Sequence, residues 1–157
     1  MRASPPLSSL FSTQLLRLSN SLGLYSSRLY RQEFQVTLPE WRVMSVIAAQ
    51  DKATARDVSR ALATDKAWVG MTVKTLMKRG FLIRSPDARD SRRILLSLTE
   101  LGREKHDAIL NLARKRQQRL KSVLAPDKAR VFVECLKLLQ VEADAMLREL
   151  GDQDDDQ

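Results

Sequence analysis

RSPDARDSRRILLSLT, residues 84–99, is the stretch that decides the fold of this chain. Two short apolar runs, 81–83 and 94–98, lie on either side of a polar segment that carries three arginines, Arg89, Arg92 and Arg93. Apolar runs of this length around a polar turn are typical of a β-hairpin. The sequence therefore predicts a hairpin with an arginine-rich tip.

A basic helix is predicted immediately before this hairpin, from Lys66 to Arg79. Thr64 or Asp65 provides its N-cap, and Gly80 closes its C-terminal end. A shorter helix at 54–62 precedes it after a tight connection, which is the pattern of a helix-turn-helix. A helix-turn-helix followed by a hairpin is a winged helix, and a basic helix with an arginine hairpin suits contact with two grooves of duplex DNA.

Helical periodicity and capping signals predict four further helices. They span 8–30, 37–49, 99–123 and 126–150, with Thr37 and Thr99 as N-caps and Gly151 ending the last. The first and the last two are long and have more apolar face than the small central region can cover, so we expect them to pack against a second copy. The predicted fold is mainly α with a small β-hairpin, and its six helices form a winged helix-turn-helix lobe and a helical dimerisation lobe.

The predicted domain organisation follows from these elements. Residues 1–7 form a disordered start, and 8–150 form a single domain. Within that domain, 38–100 make the winged-helix lobe, whereas 8–36 and 101–150 supply the dimerisation helices. The acidic segment 151–157 is predicted to be a disordered tail.

Composition bounds the possible functions of this chain. Its 157 residues are enough for one domain with a core, and its net charge is +8 although four of its 19 acidic side chains lie between Asp152 and Asp156. A basic body indicates a polyanionic partner, although many soluble proteins are basic for other reasons. One cysteine and one histidine leave no pattern for a disulfide framework, a metal site or nucleophilic catalysis, so we expect no enzyme and no cofactor. The absence of an apolar run of ~18–20 residues or a signal-type start predicts a cytoplasmic protein without membrane contact.

Five segments carry a resemblance to a known family. They are LPEWRVM at 38–44, VSRAL at 58–62, LMKRGFLIR at 76–84, DARDSR at 87–92 and LTELG at 98–102. In these segments the chain resembles the MarR family of bacterial transcription regulators. The resemblance implies a homodimer that binds a pseudo-palindromic operator in double-stranded DNA. Members of this family commonly repress transcription and are often released by a small aromatic or phenolic ligand.

The resemblance also implies roles for the hairpin residues. Arg92 stands where the arginine of the family's hairpin enters the minor groove, with Asp90 as the carboxylate that orients it. A narrow A·T-rich groove concentrates negative potential, which suits a planar, weakly hydrated guanidinium. Arg89 and Arg93 are secondary candidates for DNA contact. The alternative is a solvated tip whose arginines pair only with nearby aspartates.

The basic helix at 66–79 would lie in the major groove with its N-terminal residues toward the bases. The candidate DNA-binding residues there are Lys66, Ala67, Trp68, Gly70, Met71 and Lys74. Lysines suit phosphates, and Ala67, Trp68 or Met71 could contact thymine methyl groups. The chain departs from the family pattern here, because small hydroxylated residues are common where Trp68 and Gly70 stand and a basic residue is common at Met71. Trp68 could equally pack on the preceding helix, and Gly70 could accommodate that packing or a kink.

A small-molecule site is a further hypothesis. Tyr25 and Arg28 end the first helix, and Trp41 and Met44 begin the second. In the fold of this family the two segments approach each other, and aromatic walls with one arginine would suit an aromatic acid. The alternative is that Tyr25 and Trp41 belong to the core and Arg28 is a surface charge. Cys135 is predicted to be a buried structural thiol on the apolar face of the last helix.

Three other function classes remain as alternatives. The winged helix could serve protein contacts with a merely solvated basic face, or the chain could activate transcription with the same fold. A small hydrolase or transferase would need a convergent carboxylate pair, and the sequence offers none outside the acidic tail.

Overall fold

A computed structural model describes Leu7, residues 10–90 and residues 92–154, with side chains through Leu150. Within these residues, six helices and one two-stranded antiparallel sheet follow one another. They are α1 (Phe11–Phe34), α2 (Leu38–Gln50), α3 (Ala55–Leu62), α4 (Lys66–Lys78), β1 (Leu82–Pro86), β2 (Ile94–Leu98), α5 (Glu100–Lys121) and α6 (Pro126–Asp154). The predicted fold class is confirmed.

The chain divides into two compact units, 1–111 and 112–157. The first contains α1 to α4, both strands and the beginning of α5, and the second contains the end of α5 and α6. The predicted segments 8–36 and 38–100 thus fall into one unit, and the division into two lobes stays a prediction. Apart from Leu7, the predicted disordered start at 1–7 lies outside the described residues.

Capping side chains decide where the helices of the first unit begin. At α2 the Thr37 N–H donates to Glu40 Oε2 at 2.7 Å, and the Glu40 N–H donates to Thr37 Oγ1 at 3.3 Å. Thr54 and Asp57 make the same reciprocal pair at α3. Both are capping boxes, and each satisfies two backbone donors at the start of its helix. Asp65, not Thr64, caps α4 by accepting the Trp68 N–H at 2.7 Å.

Gly80 ends α4 and turns the chain into the hairpin. It has φ of 73°, in the left-handed region that glycine adopts without strain. The Gly80 N–H donates to the Met77 carbonyl at 3.0 Å, and the Phe81 N–H donates to the Leu76 carbonyl at 2.9 Å. These are the two bonds of a Schellman motif, and Phe81 and Leu76 are both buried, as that motif favours.

The hairpin is longer than predicted on its first strand, which runs through Pro86 because Ser85 and Pro86 pair with Leu95 and Ile94. A third backbone segment also joins it. The Ala53 N–H donates to the Leu96 carbonyl at 3.1 Å, and the Leu96 N–H donates back at 2.8 Å. This bridge, which the sequence did not predict, attaches the hairpin to the residue that precedes the Thr54 cap of α3.

The core of the first unit draws apolar residues from every element of that unit. Its members are Tyr30, Val36, Val43, Met44, Ile47, Ala53, Val58, Val69, Val73, Leu76, Phe81, Leu82, Leu96, Leu98 and Ile109. Removing this apolar surface from water is the main stabilising contribution to the winged helix.

Two expectations about the second unit are corrected. The helix α6 continues through Gly151 to Asp154, because a glycine lowers helix propensity by only about 1 kcal/mol and still offers both backbone hydrogen-bonding groups. Of the predicted disordered tail, 155–157 lie outside the described residues. Cys135 is exposed, not buried, since its apolar neighbours on α6, including Phe132, Leu138 and Leu139, are themselves exposed in the single chain. No helix in the described part of the chain is long and apolar enough to cross a membrane.

Candidate nucleic-acid interface

The helix α4 has one buried face and one exposed face. Val69, Val73 and Leu76 point into the core. Five of the six predicted DNA-binding residues of this helix lie on the exposed face, namely Lys66, Ala67, Gly70, Met71 and Lys74. The sixth, Trp68, is partly buried and packs against the hydrophobic core. The structure therefore presents a solvent-facing α4 surface of two lysines, two small residues and one methionine.

Backbone-directed hydrogen bonds organise the hairpin tip, residues 87–93. The Arg89 N–H donates to Asp87 Oδ1 at 2.9 Å, and the Arg92 N–H donates to Asp90 Oδ1 at 3.0 Å. The two aspartates therefore shape the turn through the main chain, a usual role for this residue type. Asp90 was expected to orient the side chain of Arg92, but the contact that it makes is to the Arg92 backbone.

The three arginines of the tip differ in their surroundings. Arg93 Nη1 lies 3.7 Å from Asp87 Oδ2, with its side chain half-exposed. Arg89 and Arg92 are exposed, and within the described residues neither guanidinium belongs to an ion pair. Pairing with a tip aspartate therefore accounts for Arg93 and leaves the charges of Arg89 and Arg92 available to another molecule.

Arg93 also contributes to the field at the start of α3. The hydrogen bonds from the Thr54 hydroxyl and backbone lower the pKa of Asp57 below its ordinary value, and the charges of Arg60 and Arg93 lower it further. Asp57 is thus held ionised, which favours its place in the capping box beside the positive end of the helix dipole.

The LTELG motif fixes the base of the hairpin. The Thr99 hydroxyl donates to the Gly80 carbonyl at 2.6 Å, and the Thr99 N–H donates to the Phe81 carbonyl at 3.1 Å. The same hydroxyl accepts the Gly102 N–H at 3.0 Å, which caps α5. A Cβ at Gly102 would overlap the carbonyl group of Phe81, so only glycine allows the first turn of α5 to approach this closely. The end of α4, the hairpin and α5 are thereby held together.

An ion pair with a buried carboxylate, which sequence reasoning missed, also holds the C-terminal end of α4. Arg79 Nη1 lies 2.8 Å and 2.9 Å from the two carboxylate oxygens of Glu40, and Nη2 donates to the Gln35 carbonyl at 2.6 Å. The guanidinium also lies 4.7 Å from the centre of the Phe81 ring. Burial by itself raises the pKa of Glu40, but hydrogen bonds from Thr37 and Arg79 outweigh it, and the pKa lies below its ordinary value. The signal for this ion pair in the sequence was a glutamate in the otherwise apolar first turn of α2, but the sequence does not identify its partner.

The four residues of the predicted small-molecule site lie in different environments. Tyr25 is 50% exposed, Arg28 is exposed, Met44 is fully buried and Trp41 is partly buried. The four residues therefore do not share one environment.

Trp41 instead belongs to an aromatic cluster with Tyr30 and His106. Its ring meets that of Tyr30 edge-on at 5.3 Å and stacks on His106 at 6.4 Å. Tyr30 is only 1% exposed. Among the described residues, the buried Tyr30 hydroxyl and Trp41 Nε1 find no hydrogen-bond partner, and such groups usually have one. His106 Nδ1 lies 2.8 Å from Asp107 Oδ1. The contribution of His106 from α5 was not predicted.

The elements of the first unit define a class of protein. A short helix, a tight turn, a second helix with an exposed face and a hairpin bridged to Ala53 make a winged helix-turn-helix. A MarR family model matches residues 34–93 of the chain, which include α2, α3, α4 and β1 and end just before β2. The part of the chain that carries the winged helix is therefore similar to the MarR family.

Comparisons with individual proteins agree. An HTH-type transcriptional regulator of Bacillus subtilis, YdcH, is 34% identical over 90 residues, which are 55% of this chain and 61% of that protein. The chain thus matches about three-fifths of the length of this curated relative. The crystal structure of a MarR/EmrR family transcriptional regulator from Acinetobacter has a TM-score of 0.78 at 29% identity and covers 85% of this chain and 94% of its own. MepR of S. aureus, in a complex with DNA, has the same fold with a TM-score of 0.78 at 20% identity, over 85% of this chain and 98% of its own.

Proposed function

We propose that this chain is a cytoplasmic transcription regulator that binds a specific site in double-stranded DNA. The observation that carries the proposal is the combination of an exposed, basic α4 face with two tip arginines, Arg89 and Arg92, that form no ion pair with the described residues. A helix of this kind fits the major groove, whereas an arginine hairpin fits a neighbouring minor groove.

Each group of side chains has a separate role in this proposal. Lys66 and Lys74 contact phosphates, because an ammonium is a compact charge without fixed directionality. Arg92 enters the minor groove, where a guanidinium fits a narrow A·T-rich segment, and Arg89 contacts the adjacent backbone. Phosphate contacts set the position and the affinity, and contacts to bases and groove shape set the sequence preference.

The regulator acts as a homodimer on a pseudo-palindromic operator. The apolar residues that α6 exposes in the single chain support this proposal, since burying them against a second copy is favourable. Two α4 helices then enter successive major grooves about 34 Å apart. A dimer on such a site blocks access of other proteins to the DNA, which favours repression over activation.

Release by a small aromatic ligand is part of the same proposal. The aromatic cluster of Tyr30, Trp41 and His106 supports it, because two buried polar atoms there have no partner in the described part of the chain and a ligand could supply one. A phenolic or aromatic acid offers a ring for the cluster and oxygen atoms for the Tyr30 hydroxyl and Trp41 Nε1.

The test is a gel-shift titration of the full chain with the DNA upstream of its own coding region. We expect Arg92→Ala to weaken binding by about 1–3 kcal/mol, because a desolvated groove contact is lost. Arg93→Ala is the matched control with a smaller effect, since Asp87 already pairs with that guanidinium. The affinity of the unaltered chain should fall steeply as salt rises.

Two outcomes would contradict the proposal. The first is a failure of the chain to bind this DNA at low ionic strength, which would favour the alternative that the winged helix binds other proteins. The second is a chain that stays monomeric at micromolar concentration, because a monomer cannot match a pseudo-palindromic site.

A further inference from the structure

The exposed face of α4 lacks the side chains that read adenine through paired hydrogen bonds. Asparagine and glutamine make the bidentate contacts to adenine in the major groove, whereas arginine or lysine makes those to guanine. Neither asparagine, glutamine nor arginine lies among the exposed residues of this helix, which are Lys66, Ala67, Gly70, Met71, Lys74, Thr75 and Lys78. The Thr75 hydroxyl is moreover occupied as a donor, because it bonds to the Met71 carbonyl at 3.1 Å.

Met71 is the large apolar group on this face. It is 66% exposed, although contact with water is unfavourable for a methionine side chain. The lysines at 66 and 74 lie on either side of it along the helix. An apolar side chain between two cationic ones suits a groove whose walls are phosphate and whose floor carries a methyl group.

Gly70, the neighbour of Met71, is not required by the packing of the protein itself. A Cβ built at this position meets nothing within 4 Å, and the residue lies inside a helix, where glycine is less favourable than alanine. A missing side chain that the fold does not need allows another molecule to approach the helix backbone closely.

We propose that the chain reads its operator through thymine methyl groups, with Met71 as the specificity-determining residue and Gly70 as the gap that admits the base edge. The thymine C5-methyl is the one apolar feature of the major groove, and an apolar side chain is its natural partner. This inference rests on the proposed function, because it assigns the sequence preference of the same α4 surface.

The experiment begins with selection of a duplex from a random pool by the full chain. Each thymine of a half-site is then replaced in turn by deoxyuridine, whose base lacks only the methyl group. The affinity for each altered duplex is compared with that for the selected duplex. At one or two of these positions we expect the change to weaken binding about fourfold per methyl, the equivalent of ~0.8 kcal/mol for one buried carbon. Met71→Ala should remove this preference, because its affinity for the thymine duplex should fall to its affinity for the uracil duplex.

A matched control separates methyl reading from a general loss of affinity. Lys74→Ala removes a charge from the same exposed face, so it should weaken binding to the thymine and uracil duplexes by equal factors. The fourfold preference for thymine should survive in that variant.

Gly70→Ala gives a second, independent measurement. It should raise the thermal stability of the free protein, because helix propensity improves and no atom is displaced, yet weaken binding to the selected duplex several-fold. A purely structural role for Gly70 cannot produce these opposite signs.

The inference is overturned if the unaltered chain binds the thymine and uracil duplexes equally at every position, or if Met71→Ala keeps the thymine preference. Binding of the selected duplex would leave the proposed function intact in both cases. Failure to select any duplex from the pool would overturn the inference together with the proposed function.

Discussion

Arg79 shows how one residue connects separate segments of the winged helix. Its guanidinium bonds to the Glu40 carboxylate of α2 and to the Gln35 carbonyl that follows α1, and it lies over the Phe81 ring. Glu40 in turn closes the capping box of α2 with Thr37. The C-terminal end of α4 is therefore positioned by a charge pair whose carboxylate is buried, and a buried carboxylate that loses its partner is strongly destabilising.

The Glu40–Arg79 pair predicts a specific pH dependence. The pKa of Glu40 is lower in the folded chain than its ordinary value of 4.5, so its ionised form stabilises the fold above that value and the contribution is lost as the pH falls through the folded pKa. Glu40→Gln should cost about 1–3 kcal/mol at pH 7, and the difference from the unaltered chain should shrink below pH 4.5. Urea unfolding between pH 7 and pH 3 measures both.

Arg103→Gln is the control for this measurement. Arg103 Nη2 lies 3.5 Å from Asp51 Oδ1 with both side chains exposed, and such surface pairs contribute less than about 1 kcal/mol. A Glu40→Gln cost that stays constant down to pH 3 would show that the carboxylate charge is not what stabilises this contact.

At the scale of elements, the hairpin is attached to the helices at its base and exposed at its tip. Thr99, Gly102 and the bridge from Ala53 attach β1 and β2 to the helices on both sides. The described contacts of the tip are local, and they include the bonds that the Arg89 and Arg92 N–H groups donate to Asp87 and Asp90. This arrangement places two exposed arginines, Arg89 and Arg92, on a firmly attached support, which suits insertion into a groove.

Gly102→Ala is predicted to loosen this support. The added methyl group overlaps the Phe81 carbonyl, which cannot move without breaking its bond to the Thr99 N–H. Overpacking of this kind costs about 1–3 kcal/mol, and amide exchange should accelerate first in β1 and β2. Thermal unfolding and hydrogen exchange at one fixed protein concentration measure the two effects.

Gly23→Ala serves as the comparison, because a Cβ at this position of α1 meets nothing within 4 Å. It should leave the stability unchanged or raise it slightly. Equal losses in both variants would mean that the close approach of α5 to Phe81 is not the cause.

At the scale of the whole molecule, the proposed regulation requires that DNA and a ligand favour different states of the proposed dimer. If a ligand lowers the affinity for DNA by some factor, DNA must lower the affinity for that ligand by the same factor. The aromatic cluster is a suitable place for such a ligand, because Tyr30, Trp41 and His106 come from α1, α2 and α5.

Fluorescence of Trp41 tests this coupling in a Trp68→Phe background, which leaves one tryptophan as the reporter. In a panel of phenolic acids and their thioesters, we expect one that quenches Trp41 to weaken DNA binding by about 5–150-fold. Tyr30→Phe should weaken the binding of that ligand. It should not destabilise the free protein, because the hydroxyl that it removes has no partner among the described residues. A ligand that quenches Trp41 but leaves the DNA affinity unchanged would refute the coupling.

The sequence by itself determined the features that depend on neighbours within a few residues. Both capping boxes, the Gly80 turn and the alternation of exposed and buried residues on α4 are local, so the order of helices and the arginine-tipped hairpin were predictable. Local spacing was also misleading at Gly151, where a helix-breaking residue did not end α6.

Only the tertiary structure decided which distant side chains meet. Arg79 bonds to Glu40, which lies 39 positions earlier in the chain, and Trp41 of α2 stacks on His106 of α5. Ala53 pairs with β2, and Trp68 turns toward the core although it stands beside residues that face solvent. These contacts depend on how the packed helices are oriented, which is set by the shape of the whole core and leaves no periodic signal along the chain.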